Sequence, residues 1–148
     1  MALYLMSAHP RDRDCAQELW GVVVDLALSH HDVDGFTLDA TPPMEQSGGR
    51  TAGVSAASRL GEGDGQLMDL PTQTAEDLIQ AGLTALTLDL YSRASWVCGI
   101  SDWGDEIDAL LDEETIGRLR TALSKLGDRV TWDIEEARDR PMFKPTRP

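Results

Sequence analysis

The patterning that most restricts this chain lies in residues 84–127, where two strand-like runs lead into its most acidic segment. In residues 84–91, Leu86, Leu88 and Leu90 alternate with Thr87, Asp89 and Tyr91, the period of two expected of a strand buried on one face. Ser92-Arg93-Ala94 turns the chain. Residues 95–101 follow with Trp96, Val97, Cys98 and Ile100, aromatic and β-branched types that suit a pleated surface. The pair reads as a hairpin. Leu78, Ile79, Gly82, Leu86 and Leu90 also fall at helical spacing, against which Gly82 and the two threonines weigh.

Beyond the hairpin, Ile107, Leu110 and Leu111 recur at helical spacing among carboxylates, and this predicts a first acidic helix. Seven carboxylates fall between Asp102 and Glu114 with no basic residue among them. Asp112 is placed to cap a second helix, because its carboxylate can accept from free backbone N–H groups while Glu113 and Glu114 sit at the positive end of the dipole. Ile116, Leu119, Leu123 and Leu126 then form the buried stripe, with Lys125 and Gly127 as the stop.

The rest of the chain is read outward from this stretch. Residues 3–6, Leu-Tyr-Leu-Met, form a short apolar run suited to a covered strand, broken at His9-Pro10. A helix starts near Asp12 or Asp14 and runs to about Ser29, with Cys15, Leu19, Val22, Val23 and Leu26 inward and Gln17, Glu18 and Asp25 outward. Residues 35–39 are a second strand; as parallel neighbours in one sheet, the two strands would be joined by a right-handed crossover.

Residues 41–65 are a Gly/Ser/Pro-rich loop, with a short helix expected over 54–60. Residues 66–70 form a short strand, and a capping pattern from Thr74 to Asp77 opens a helix that Gly82 stops. Val130, Trp132 and Ile134 alternate in a final strand, and the segment from Glu135 onward loses all apolar period. Trp20 and Trp132 are expected in the core.

These elements predict one α+β domain over residues 1–140, a two-layer sandwich, with a flexible tail at 141–148. A mixed sheet of about five strands carries helices mainly on one face, and the order permits a ferredoxin-like arrangement. At 148 residues the chain is large enough to bury a core without staples. Cys15 and Cys98 read as buried reduced thiols, with neither a disulfide framework nor metal spacing, and no cofactor motif is present. Residues 2–6 are too short for a signal-peptide core, and no run reaches the roughly 20 apolar residues of a membrane span. The expected location is cytoplasmic.

The formal net charge is −13, unevenly distributed. Residues 1–117 hold 21 acidic and 5 basic side chains, a balance of −16, and residues 118–148 hold 5 and 8, a balance of +3. Such a field opposes direct binding to nucleic acid or anionic membrane, which require positive surface, and attracts basic proteins. The candidate partner-binding residues are Asp102, Trp103, Asp105, Glu106, Asp108, Asp112 and Glu113: like charges that repel one another, around an aromatic anchor. Arg118, Arg120, Arg129, Arg138 and Arg140 of the same chain could instead neutralise them. The function expected from charge is a small acidic module that masks or inhibits a basic protein partner, as immunity proteins and antitoxins do; an exposed strand or helix face would also allow a homodimer.

The alternative is a small hydrolase-type enzyme with His9 as general base, oriented by Asp12 or Asp14, at a strand end where open α/β folds place ligands. His30-His31-Asp32 has ligand-type residues, but adjacent side chains diverge and the spacing is that of a helix end and a turn. The glycine-rich runs 47–51 and 61–65 lack the Gly-Lys-Ser/Thr ending of a phosphate loop and read as turns.

Overall fold

The computed structural model describes residues 2–39, 66–70 and 75–137. Within these residues seven strands form one sheet: β1 (Leu3–Pro10), β2 (Gly35–Asp39), β3 (Met68–Asp69), β4 (Thr87–Ser92), β5 (Ser95–Ser101), β6 (Glu106–Asp112) and β7 (Val130–Ala137). Their order is β3-β2-β4-β5-β6-β1-β7, with every pairing antiparallel. Among the described residues, three helices, α1 (Arg13–His30), α2 (Ala75–Thr84) and α3 (Glu113–Leu126), cover one face, with α1 between the other two.

This arrangement corrects the expected mixed, ferredoxin-like sheet, because every pairing is antiparallel; its seven strands are roughly compatible with the expected count of about five. The overlooked strand is β6. Residues 106–112 are extended, not helical, because the segment is hydrogen-bonded on both sides, to β5 and to β1. Ile107, Ala109 and Leu111 point to the helices, and Asp108 and Leu110 to the opposite face. Insertion of β6, β5 and β4 between β1 and β2 also removes the expected neighbouring crossover.

The helices form where their caps and stripes place them. Asp12 Oδ1 accepts from Cys15 N at 2.7 Å, and Leu19, Trp20, Val23, Val24 and Ala27 bury one side of α1. Asp112 Oδ1 accepts from Thr115 N at 2.9 Å, and Gly127, at φ 62°, ends α3. Its stripe of Ile116, Leu119, Leu123 and Leu126 is buried, each such side chain contributing about 1.5–3 kcal/mol. Gly82 does not stop α2, which continues to Thr84. Instead Gly82 receives the indole of Trp20, whose Nε1 donates to Leu78 O at 3.0 Å; a methyl group at Gly82 would overlap that ring.

The expected hairpin forms as β4 and β5, and the helical spacing upstream belongs to α2. The turn residues Arg93 and Ala94 both have positive φ, 50° and 63°, the two-residue geometry whose twist matches antiparallel strands. The register shifts at Leu90/Tyr91, so that Tyr91 faces Trp96 while Leu90 faces Cys98, with Val97 as the extra residue. The shift turns Trp96 away from the helices. It joins Leu5, Tyr91 and Leu110 in a second buried cluster on the other face.

A polar row crosses that second face in register: Thr37, Asp89, Gly99, Asp108, Ser7 and Asp133. Ser7 Oγ donates to Asp108 Oδ1, and both residues are buried. Strand β7 lies at the end of the described sheet, and Trp132 on it is 39% exposed, not core as expected. The strand extends to Ala137, beyond the expected end of its apolar period. The expectations for residues 41–65, including the helix over 54–60 and both glycine-rich runs, and for the tail 141–148, lie outside the described residues.

Candidate functional site: the turn between β5 and β6

The seven acidic-patch candidates do not share one surface, and the reason is the extended form of β6. Asp102, Trp103, Asp105 and Glu106 lie at its start; Asp112 and Glu113 lie at its end, about 20 Å away at 3.3 Å per residue. Asp108 is buried on the face away from the helices, 4% exposed, and hydrogen-bonded to the hydroxyl of Ser7. Asp112 serves as the cap of α3. Four of the seven therefore remain together, around the β5–β6 turn.

That turn is held in an uncommon backbone form. Asp102, Trp103 and Gly104 have successive φ values of 54°, 56° and 99°. Glycine accepts such angles; for a bulky L-residue such as tryptophan they are a genuine outlier, and each costs roughly 1–2 kcal/mol. Three backbone bonds hold the turn in place: Asp102 N donates to Leu86 O at 2.8 Å, Trp103 N to Ala85 O at 3.0 Å, and Asp105 N to Asp102 O at 3.2 Å. The connection between α2 and β4 thus clamps the connection between β5 and β6. Strain maintained by surrounding structure is found preferentially at working surfaces.

Beside the turn is a cavity of about 340 Å³, walled by Trp103 and Asp105, by Leu83 of α2, and by Arg11, Asp12 and Arg13 at the start of α1. Asp102 and Asp105 are exposed. Asp12 is committed to its own helix: it caps Cys15 N and lies 3.4 Å from Arg129 Nη2. The Cys15 N–H, and then Arg129, hold its carboxyl below the usual value. Arg129 also reaches Glu18 at 3.8 Å, and its guanidinium is held further toward the charged form by Asp12.

His9 lies at the end of β1 with its side chain 57% exposed, and its Nε2 is 3.7 Å from Glu106 Oε1. Its carboxylate neighbour is therefore Glu106 and neither Asp12 nor Asp14, the two expected to orient it; Asp12 is committed to the helix cap and the Arg129 pair. His31 closes α1, its Nε2 3.1 Å from Thr115 Oγ1, and His30 Nε2 is 3.2 Å from Arg118 Nη1. These contacts tie the end of α1 to α3. Among the described residues, no group of three or more His, Cys, Asp or Glu side chains is arranged to hold a metal ion, and no helix is long and apolar enough to cross a membrane.

Arg11, Arg13 and Leu83 escaped notice in the sequence because the cavity walls come from separate parts of the chain. No local spacing links residue 11 to residues 83 and 103. The only local hint is the pair of arginines, Arg11 and Arg13, at the start of α1. Comparison of the chain with protein-family models, curated proteins and solved structures found no match.

Proposed function

We propose that this chain is a binding module that masks or inhibits a basic protein partner, and that it engages the partner through the β5–β6 turn. Asp102, Asp105 and Glu106 supply negative potential, and Trp103 supplies the aromatic anchor beside the cavity. The observation that carries this reading is the backbone form of Asp102 and Trp103, costly and clamped by three hydrogen bonds. A net charge of −13 would steer a cationic surface toward the molecule and raise the rate of encounter.

The test is affinity capture from the native source with the wild-type chain and with Asp102→Lys/Asp105→Lys, followed by calorimetry on the purified partner. The expected result is a basic partner whose affinity falls at least about tenfold in the double variant and in Trp103→Ala. A partner bound equally well by all three proteins would refute the reading.

A further inference from the structure

A groove of about 470 Å³ runs between α1 and α2, on the outer surface of the helix layer. Its floor contains Gly21, Val22 and Ile79, the two aliphatic side chains being only half-buried. Glu18, Asp25 and Glu76 stand around it, Glu18 also lying 3.8 Å from Arg129 Nη1, and among the described residues no lysine or arginine lines it. Glu18 and Asp25 are two turns apart on α1, about 10 Å.

Gly21 is the unexpected member. It sits in the middle of an 18-residue helix, where glycine is the poorest choice after proline. The packing does not require it. A Cβ at Gly21 would meet only Ile79 Cδ1, at 3.8 Å, an ordinary contact. Gly82 on the facing helix is the contrast, since there the Trp20 indole occupies the space of a side chain. At Gly21 the missing side chain lowers the floor of a groove that opens outward.

We propose that this groove docks a basic amphipathic helix of a partner protein, its apolar residues on Gly21, Val22 and Ile79 and its lysines or arginines against Glu18, Asp25 and Glu76. Charge complementarity selects this occupant. A second copy of the chain would bring another acidic surface to an acidic groove, and like charges across an interface oppose association. The groove is separate from the β5–β6 turn and does not depend on it.

The test uses the full chain and a labelled Leu/Lys peptide of about 18 residues with one apolar face, compared with a scrambled peptide of the same composition, by fluorescence anisotropy. The patterned peptide is expected to bind at least about tenfold more tightly than the scrambled one, and Gly21→Trp, which fills the groove without changing charge, to remove that advantage. Asp25→Asn/Glu76→Gln, which leaves the floor intact, should weaken it by about fivefold or more. Gly21→Ala should raise the melting temperature by about 2 °C, showing that the site tolerates a side chain in the fold. Asp105→Lys should leave peptide binding within about twofold, which separates this site from the turn.

Equal binding of the two peptides, or the same preference in folded Gly21→Trp, would overturn the proposal. So would loss of peptide binding in Asp105→Lys alone, or self-association that Gly21→Trp abolishes.

Discussion

The Asp89 carboxylate occupies the space above Gly99, its partner across β4 and β5, and accepts a hydrogen bond from Trp96 Nε1 at 3.0 Å. A side chain at position 99 would overlap Asp89 Oδ1. The glycine is required by that close approach, and the approach in turn gives the buried indole N–H its acceptor.

Gly99→Ala is therefore expected to destabilise the fold by about 2–3 kcal/mol, through overpacking and displacement of the Asp89–Trp96 bond. Urea denaturation with near-ultraviolet circular dichroism would measure the loss and the altered environment of Trp96. In a double variant with Asp89→Ala, the overlap itself is removed, so the two losses should be less than additive.

At the β5–β6 turn, stability and binding are expected to move in opposite directions. Asp102→Gly relieves a positive φ on an exposed residue and should stabilise the chain by about 1 kcal/mol, while weakening partner binding by loss of charge and rigidity. A melting temperature that falls in Asp102→Gly would show that the strain is smaller than the backbone angles imply.

The hairpin turn offers a change remote from both proposed surfaces. Arg93→Asn/Ala94→Gly supplies the residues that prefer two successive positive φ values and should raise stability by about 1 kcal/mol, read by thermal unfolding. Asp34 Oδ1 already accepts from the backbone N–H of residue 93 at 3.0 Å, so the turn keeps its outside support.

Asp12 predicts the sign of an acid-side effect. Its carboxyl lies below the ordinary 3.8, chiefly through the Cys15 N–H and secondly through Arg129. A depressed folded value means that its contribution is present above the unfolded pKa and is lost as pH falls through the folded pKa. Asp12→Asn keeps a cap acceptor but removes the charge. Its stability should decline less steeply with acidification than that of the wild type, in melting curves taken from neutral to acid pH.

Both thiols should resist alkylation in the native state. Cys15 and Cys98 are buried, and burial pushes the Cys15 thiol up, away from the reactive thiolate. Mass spectrometry after iodoacetamide treatment should find both unmodified until denaturant is added. Rapid native labelling of Cys15 would show that the start of α1 opens far more often than its packing implies.

Much was legible wherever the controlling interaction is short-range. Asp12 and Asp112 cap bonds reach three residues along the chain, and the α3 stripe repeats within two turns, so residue order alone determined α1, α3 and the β4–β5 hairpin. Only tertiary structure decided residues 106–112, whose Ile107, Leu110 and Leu111 fit a helical period and whose Ile107, Ala109 and Leu111 fit a strand. The arbiter is pairing with β1, sealed by Ser7 and Asp108 across 101 positions of sequence. The same long-range pairing divided the acidic patch and brought Arg11, Leu83 and Trp103 to one cavity. Caps and periods act over one or two turns and are written locally, whereas hydrogen bonds between strands are shared by segments whose separation along the chain carries no mark of their meeting.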